Sequence, residues 1–230
     1  MKQVESGLNR VRARLADALS TAGRAPGTAR LVAVSKFQPA AAIRQAYAAG
    51  QRDFGENYVQ ELEQKATELR DLTDLRWHMI GHLQRNKVRV VAPLASLIHT
   101  VHSIELVREL DKRVTTETKL SVLVEVNVGG EAQKSGCNPG ALADVLRALG
   151  EAQHLTVSGL MCVPPHTAEP SCAKPYFDEL VRLRDLHGGA ERLPELSMGM
   201  TADLEYAVSA GATIVRVGTA IFGERPKAGG

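Results

Sequence analysis

The sequence predicts a single (β/α)8 barrel of the TIM type with an extra N-terminal helix. Three observations carry that prediction. Short β-branched runs alternate with helical patterns from Leu31 onward, the runs number eight, and no linker or low-complexity tract divides the 230 residues. Strands separated by helices are joined by crossovers, which makes them parallel. Eight such units close into a barrel, and a chain of this length suits one domain. An open doubly wound sheet is the alternative, because the runs at 52–54 and 195–198 are short or weak.

Val4, Leu8, Val11, Leu15 and Ala18/Leu19 recur at helical spacing with Arg and Glu between them. Residues 1–24 therefore open with an amphipathic helix that covers another surface, and Gly23 and Pro26 stop it. Strands are expected at 31–34, 52–54, 76–80, 97–101, 121–127, 155–160, 195–198 and 213–217. Helices are expected near 39–49, 57–70, 84–91, 104–116, 139–149, 173–186 and 202–210. Gly50 and Gly211 follow their helices, as suits the left-handed C′ position. Gly55 and Gly218 follow the next strands, where backbone could approach a ligand closely. The whole chain, 1–230, reads as one domain, with 225–230 expected to fray.

Composition excludes several function classes. A net charge of +2 provides no broad basic field for nucleic acid. Cys137, Cys162 and Cys172 are odd in number and lack CxxC spacing, which argues against a disulfide framework and a structural zinc site. No run approaches a membrane span, and charges from Lys2 to Arg14 leave no signal-peptide apolar region. These features point to the cytoplasm, with no membrane partner. No G-x-S-x-G or P-loop is present. His78 and His82 lie on either side of Gly81, which argues against a zinc pair and reads instead as loop hydrogen bonding; no metal site is expected. Cys162 lies in an apolar run and reads as core.

In a parallel barrel the chemistry sits in the loops after the strands. Lys36 ends the first run. Gly55-Glu56-Asn57-Tyr58 follow the second. The seventh leads into Ser197-Met198-Gly199-Met200-Thr201 and the eighth into Arg216-Val217-Gly218-Thr219. Ser197, Thr201 and Thr219 offer hydroxyls, and Gly199 and Gly218 leave backbone N–H groups accessible. Loops after strands seven and eight are a frequent phosphate site in barrels. Thr201 is also placed to cap the next helix, with Asp203 in its first turn. Plain alternatives stand beside each reading: Thr201 only caps, the glycines only turn, Lys36 is a solvated rim residue, and Arg216 pairs with Glu205 or Glu224 at the rim. A lysine opposite a phosphate cradle provides the two anchors that pyridoxal phosphate needs, an amine for its aldehyde and donors for its phosphate.

Val32-Ala33-Val34-Ser35-Lys36, Phe54-Gly55-Glu56-Asn57-Tyr58, Trp77-His78-Met79-Ile80-Gly81-His82-Leu83-Gln84, Ser197-Met198-Gly199-Met200-Thr201 and Arg216-Val217-Gly218-Thr219-Ala220-Ile221-Phe222-Gly223 stand in the order and at the spacings of one family. The chain resembles the pyridoxal phosphate homeostasis proteins, the YggS/PROSC family, from the first helix nearly to the end. The resemblance implies the fold of the alanine racemase N-terminal domain, with pyridoxal 5′-phosphate as cofactor. It makes Lys36 the Schiff-base lysine and puts Asn57 in a loop near the pyridine ring. Ser197, Thr201, Gly218 and Thr219 match the phosphate cradle, and Arg216 matches an arginine facing the pyridine nitrogen. It carries no role onto the loop around Lys134. A guanidinium can only donate, so Arg216 would leave that nitrogen unprotonated and the ring a weaker electron sink.

The resemblance also suggests that racemases of this fold draw a second base from an added β-domain. The barrel pattern consumes this chain, and only Tyr58 among its tyrosines lies near a strand-end loop. The expected function is therefore non-catalytic: a monomer that buffers vitamin B6 as pyridoxal phosphate or delivers it transiently to apo-enzymes. The alternatives are a small racemase-like pyridoxal enzyme and a sugar-phosphate aldolase with a Schiff-base lysine.

Overall fold

Short apolar runs with inward and outward phases make strands that can be buried on both sides. The computed structural model describes residues 2–115, 118–131, 133–166 and 168–224. Among them, eight parallel strands close in sequence order, each pairing with the next and the eighth with the first. They are β1 (Arg30–Val34), β2 (Asp53–Glu56), β3 (Arg76–Met79), β4 (Ala95–Val101), β5 (Leu120–Glu125), β6 (Leu155–Met161), β7 (Glu195–Ser197) and β8 (Ile214–Val217). The barrel is closed, so the doubly wound alternative falls away.

The helices are α1 (Lys2–Thr21), α2 (Ala40–Ala48), α3 (Val59–Glu68), α4 (Val88–Val91), α5 (Ile104–Arg113), α6 (Leu142–Glu151), α7 (Lys174–Leu186), α8 (Gly189–Arg192), α9 (Leu204–Ala210) and α10 (Thr219–Phe222). The helix expected at 84–91 is instead a 3₁₀ turn, Arg85–Lys87, running into α4, with Pro93 preventing its extension. The helix expected from 202 begins at Leu204, because the Asp203 carboxylate accepts from Met200 N–H at 2.6 Å and closes a turn first. Asp203, not Thr201, therefore occupies the N-cap position. The single-turn helices α8 and α10 were not expected from the sequence. The tail expected at 225–230 lies outside the described residues.

The apolar residues divide into two cores. Between strands and helices lies one large cluster, to which α1 contributes Val4, Leu8, Val11, Leu15, Ala18 and Leu19. Inside the barrel a smaller one contains Val32, Leu97, Leu123, Met161 and Ile214. These five fix the inward phase of their strands, and two residues further on that phase carries His99 on β4, Glu125 on β5 and Arg216 on β8 toward the C-terminal ends. No helix among the described residues is long and apolar enough to cross a membrane.

Candidate functional site

Lys36 lies two residues past β1, half-buried, in a loop held from three sides. Ser35 N–H donates to Gly55 O at 3.0 Å, and Ser35 Oγ donates to Glu56 Oε1 at 2.7 Å. Lys65 Nζ reaches from α3 to Ser35 O at 2.8 Å, Glu56 Oε1 at 2.8 Å and Glu61 Oε2 at 2.7 Å. Phe37 N–H donates to Glu61 Oε2 at 2.8 Å, and Phe37 takes φ +62°. A non-glycine residue in the left-handed region is uncommon and needs surrounding support, which this network supplies. Burial raises the Glu56 carboxyl more than Lys65 and Ser35 lower it.

On β8 the Arg216 side chain points into the barrel and is only 4% exposed, so it is no rim arginine. Its Nη1 donates to Ser197 Oγ at 2.5 Å and its Nη2 to Cys162 O, just past β6, at 3.0 Å. Glu205, the partner weighed for it, pairs with Arg14 on α1 instead. Ser197 Oγ also meets His99 Nδ1 at 2.8 Å, so this hydroxyl is spent inside the barrel rather than turned to the loop above. His78 is likewise interior, bonded to His99 and Asp53, which corrects the expectation that it serves a loop; it sits on the inward phase of β3. His82 is exposed and meets Ser135 Oγ at 3.2 Å.

The other expected residues gather at the same end. Asn57 is half-buried directly after β2, Thr201 is half-buried in the loop after β7, and Thr219 is exposed at the start of α10. Gly199 has φ +90°, and a Cβ there would lie 2.4 Å from Ala207 Cβ. At Gly218 a Cβ would lie 2.9 Å from Val34 O. Both glycines are thus required by close packing whatever lies above them. Gly55 packs inside the barrel on Ile80 and Val32. The Cys162 thiol is fully buried and pushed up to about 12, which makes it inert core, as expected.

Three participants escaped the reading of the sequence. Glu125, at the end of β5, is 6% exposed, and its Oε2 has no hydrogen-bond partner among the described residues. Burial pushes its carboxyl up to about 7, against the pull of Arg216. His99 is fully buried, and so is nearly all of Lys65. For Glu125 and His99 a signal existed: each stands two residues after a leucine on the inward phase of an otherwise apolar run, where a polar side chain is costly without a purpose. This end of the barrel therefore combines a half-buried lysine on a braced loop, a buried cation and hydroxyls at the two loops after β7 and β8. Such a donor set fits a ligand with an aldehyde, an aromatic nitrogen and a phosphate. No group of three or more His, Cys, Asp or Glu among the described residues could hold a metal ion.

By this fold and by its sequence the chain belongs to the alanine racemase N-terminal domain family, which matches residues 8–226. It is 45% identical over 227 residues to the pyridoxal phosphate homeostasis protein of Pseudomonas aeruginosa, covering 98% of this chain and 97% of that one. Among solved structures it matches PipY of Synechococcus elongatus with pyridoxal phosphate bound, at 38% identity and TM-score 0.77, covering 91% of this chain and all of that one. The alanine racemase of Corynebacterium glutamicum shares the fold, with TM-score 0.70 at 19% identity, and the match takes in 63% of the racemase chain.

Proposed function

We propose that this protein binds pyridoxal 5′-phosphate covalently through Lys36 and serves vitamin B6 homeostasis, buffering the cofactor or passing it transiently to apo-enzymes. When bound, the cofactor supplies an electrophilic aldehyde and an electron-withdrawing ring. The observation that carries the reading is the pairing of a braced Lys36 loop with a buried Arg216 on the adjoining strand, where Val32 is register partner of Arg216. In this reading Arg216 donates toward the pyridine nitrogen and Asn57 flanks the ring. Thr201, Gly218 and Thr219 with the backbone at Gly199 hold the phosphate, and Ser197 holds Arg216. Tyr58 supports a non-catalytic role: it is exposed in the loop after β2, its ring 5.3 Å from that of Phe37, and so stands on Lys36's side of the mouth rather than opposite it. The three cysteines are free thiols, in keeping with a monomer working in the cytoplasm.

Purified protein incubated with pyridoxal phosphate should show a visible absorption band. Borohydride should fix one adduct on the peptide carrying Lys36, and Lys36→Ala should abolish both. A wild-type protein with neither band nor adduct sinks the reading.

One observation favours a second reading, a small racemase-like enzyme. Glu125 lies on β5, four strands from β1 in either direction, with a carboxyl that holds its proton near neutrality. It is placed to act on the face opposite Lys36. That reading requires exchange of amino-acid Cα protons with solvent, lost in Glu125→Gln. Absence of exchange across L- and D-amino acids removes it.

A further inference from the structure

The barrel interior holds a row of polar side chains that covalent anchoring at Lys36 does not use. Arg216 Nη1 lies 2.5 Å from Ser197 Oγ, and Ser197 Oγ lies 2.8 Å from His99 Nδ1. His99 Nε2 is 2.9 Å from His78 Nδ1, and His78 Nε2 is 3.0 Å from Asp53 Oδ1. Asp53 is clasped in turn by Arg76 Nε and Nη2 at 2.8 and 2.7 Å. The row starts near the C-terminal end of β8 and finishes on the first residues of β2 and β3, where Arg76 is exposed. Ser197 on β7 and His99 on β4 are three strands apart, so their bond crosses the barrel interior.

The order of the protons in this row is set from its acidic end. The Asp53 carboxylate can only accept, so His78 donates to it from Nε2. Burial favours the neutral form of both rings, which leaves His78 Nδ1 bare to accept from His99 Nε2–H and His99 Nδ1 bare to accept the Ser197 hydroxyl proton. Arginine can only donate, so Ser197 Oγ accepts from Arg216. Burial lowers His99 well below 6.5, helped by His78, by Arg216 on β8 and by Arg30 on β1. Burial also lowers His78, with Asp53 opposing and Arg30 and Arg76 adding to the effect. At Asp53, burial raises the carboxyl, but hydrogen bonds from Arg76 and His78 outweigh it and hold the group ionised.

We propose that His99 and His78 are positioning residues: with Ser197 they form a proton-ordered relay that pins Arg216 as a one-way donor at the mouth and couples it to the Asp53–Arg76 pair on the opposite face. The functional half rests on the reading that pyridoxal phosphate binds over Arg216. A change of charge at Asp53, remote from the ligand, is then felt at the mouth. A merely space-filling row transmits nothing.

Two measurements test this. In cofactor-free protein with ¹⁵N-labelled histidine, NMR should show both rings as Nε2–H tautomers near neutral pH, each titrating, if at all, below the ordinary histidine value. A ring carrying its proton on Nδ1, or titrating near its ordinary value, overturns the relay. In cofactor-loaded protein, Asp53→Asn and His99→Phe should each shift the visible band and weaken pyridoxal phosphate binding roughly tenfold, the scale of an outer-shell loss. His99→Gln retains one acceptor and one donor and should restore both. If Asp53→Asn keeps the wild-type band and affinity while the Lys36 adduct forms, the relay is wrong and the binding reading stands. If wild-type protein takes up no cofactor, the binding reading fails and the histidine tautomers still decide the relay. Should His99→Phe not fold, Asp53→Asn and the tautomers carry the test.

Discussion

Glu125 ends β5 with a carboxyl that the fold holds out of water without giving Oε2 a partner among the described residues. Its value is pushed up from 4.5 to about 7, first by burial, with Arg216 pulling the other way. The folded protein therefore holds this proton more tightly than the unfolded chain does. Below the unfolded value both states are protonated and the group costs nothing. As pH rises toward 7 only the unfolded chain loses the proton, so stability falls; above 7 the full penalty is present. Glu125→Gln removes the ionisation while keeping the shape. Its melting temperature should match wild type at acid pH and exceed it in alkaline buffer by roughly 10 °C, from a penalty on the order of 3 kcal/mol in a chain of this size. Equal melting temperatures at both pH values would show that Glu125 is solvated or paired.

At the scale of elements, β2 and α3 act together on the loop that carries Lys36. Glu56 from β2 and Glu61 and Lys65 from α3 converge on the backbone of Ser35 and Phe37. Lys65 is 6% exposed and Glu56 is fully buried, so the cation and the anion depend on one another. Lys65→Met leaves the buried Glu56 without its cation, with Ser35 Oγ still donating to it, which costs about 3–5 kcal/mol. The variant should melt roughly 10 °C lower and form the Lys36 adduct more slowly. Adding Glu56→Gln to it should recover most of the melting temperature. A single variant as stable as wild type would mean that water replaces the ammonium. In the sequence Lys65 looks like a solvated helix lysine four residues after Glu61, and only the packing of α3 against β2 and β3 turns it inward. The barrel itself was legible, because eight runs bounded by turn residues fall within a few positions of the eight strands. Lys36, Asn57, Thr201 and Thr219 were legible as strand-end residues for the same reason. The bond between His99 and Ser197 was not, since it joins residues 98 apart, and neither were α8 and α10, whose single turns have no period to read.

The molecule as a whole closes at its weakest seam under the N-terminal helix. β7 and β8 share a single register pair, Ser197 with Ile214, whereas β1 and β8 share four. Across that seam α1 lies on α9 and α10. Arg14 bonds Glu205 and Thr201 O, and Arg24, just past the helix, donates to Val208 O at 2.9 Å and Ala212 O at 2.8 Å. The approach is closest at Gly7, where a Cβ would stand 2.5 Å from Ile221 O and 2.8 Å from Ala220 O. Those carbonyls belong to α10, which begins immediately after Gly218. A side chain at position 7 must therefore lift α1 from α10 or displace α10, and with it the loop assigned to the phosphate. Gly7→Val should lower stability by about 1–3 kcal/mol, the usual cost of overpacking, and also weaken pyridoxal phosphate binding. Ser6→Ala, one residue away on the exposed side, should change neither. If Gly7→Val melts with wild type and binds the cofactor equally well, α1 covers the seam without clamping it. If it loses stability but keeps its affinity, the clamp is real and the loop after β8 is held by the barrel alone.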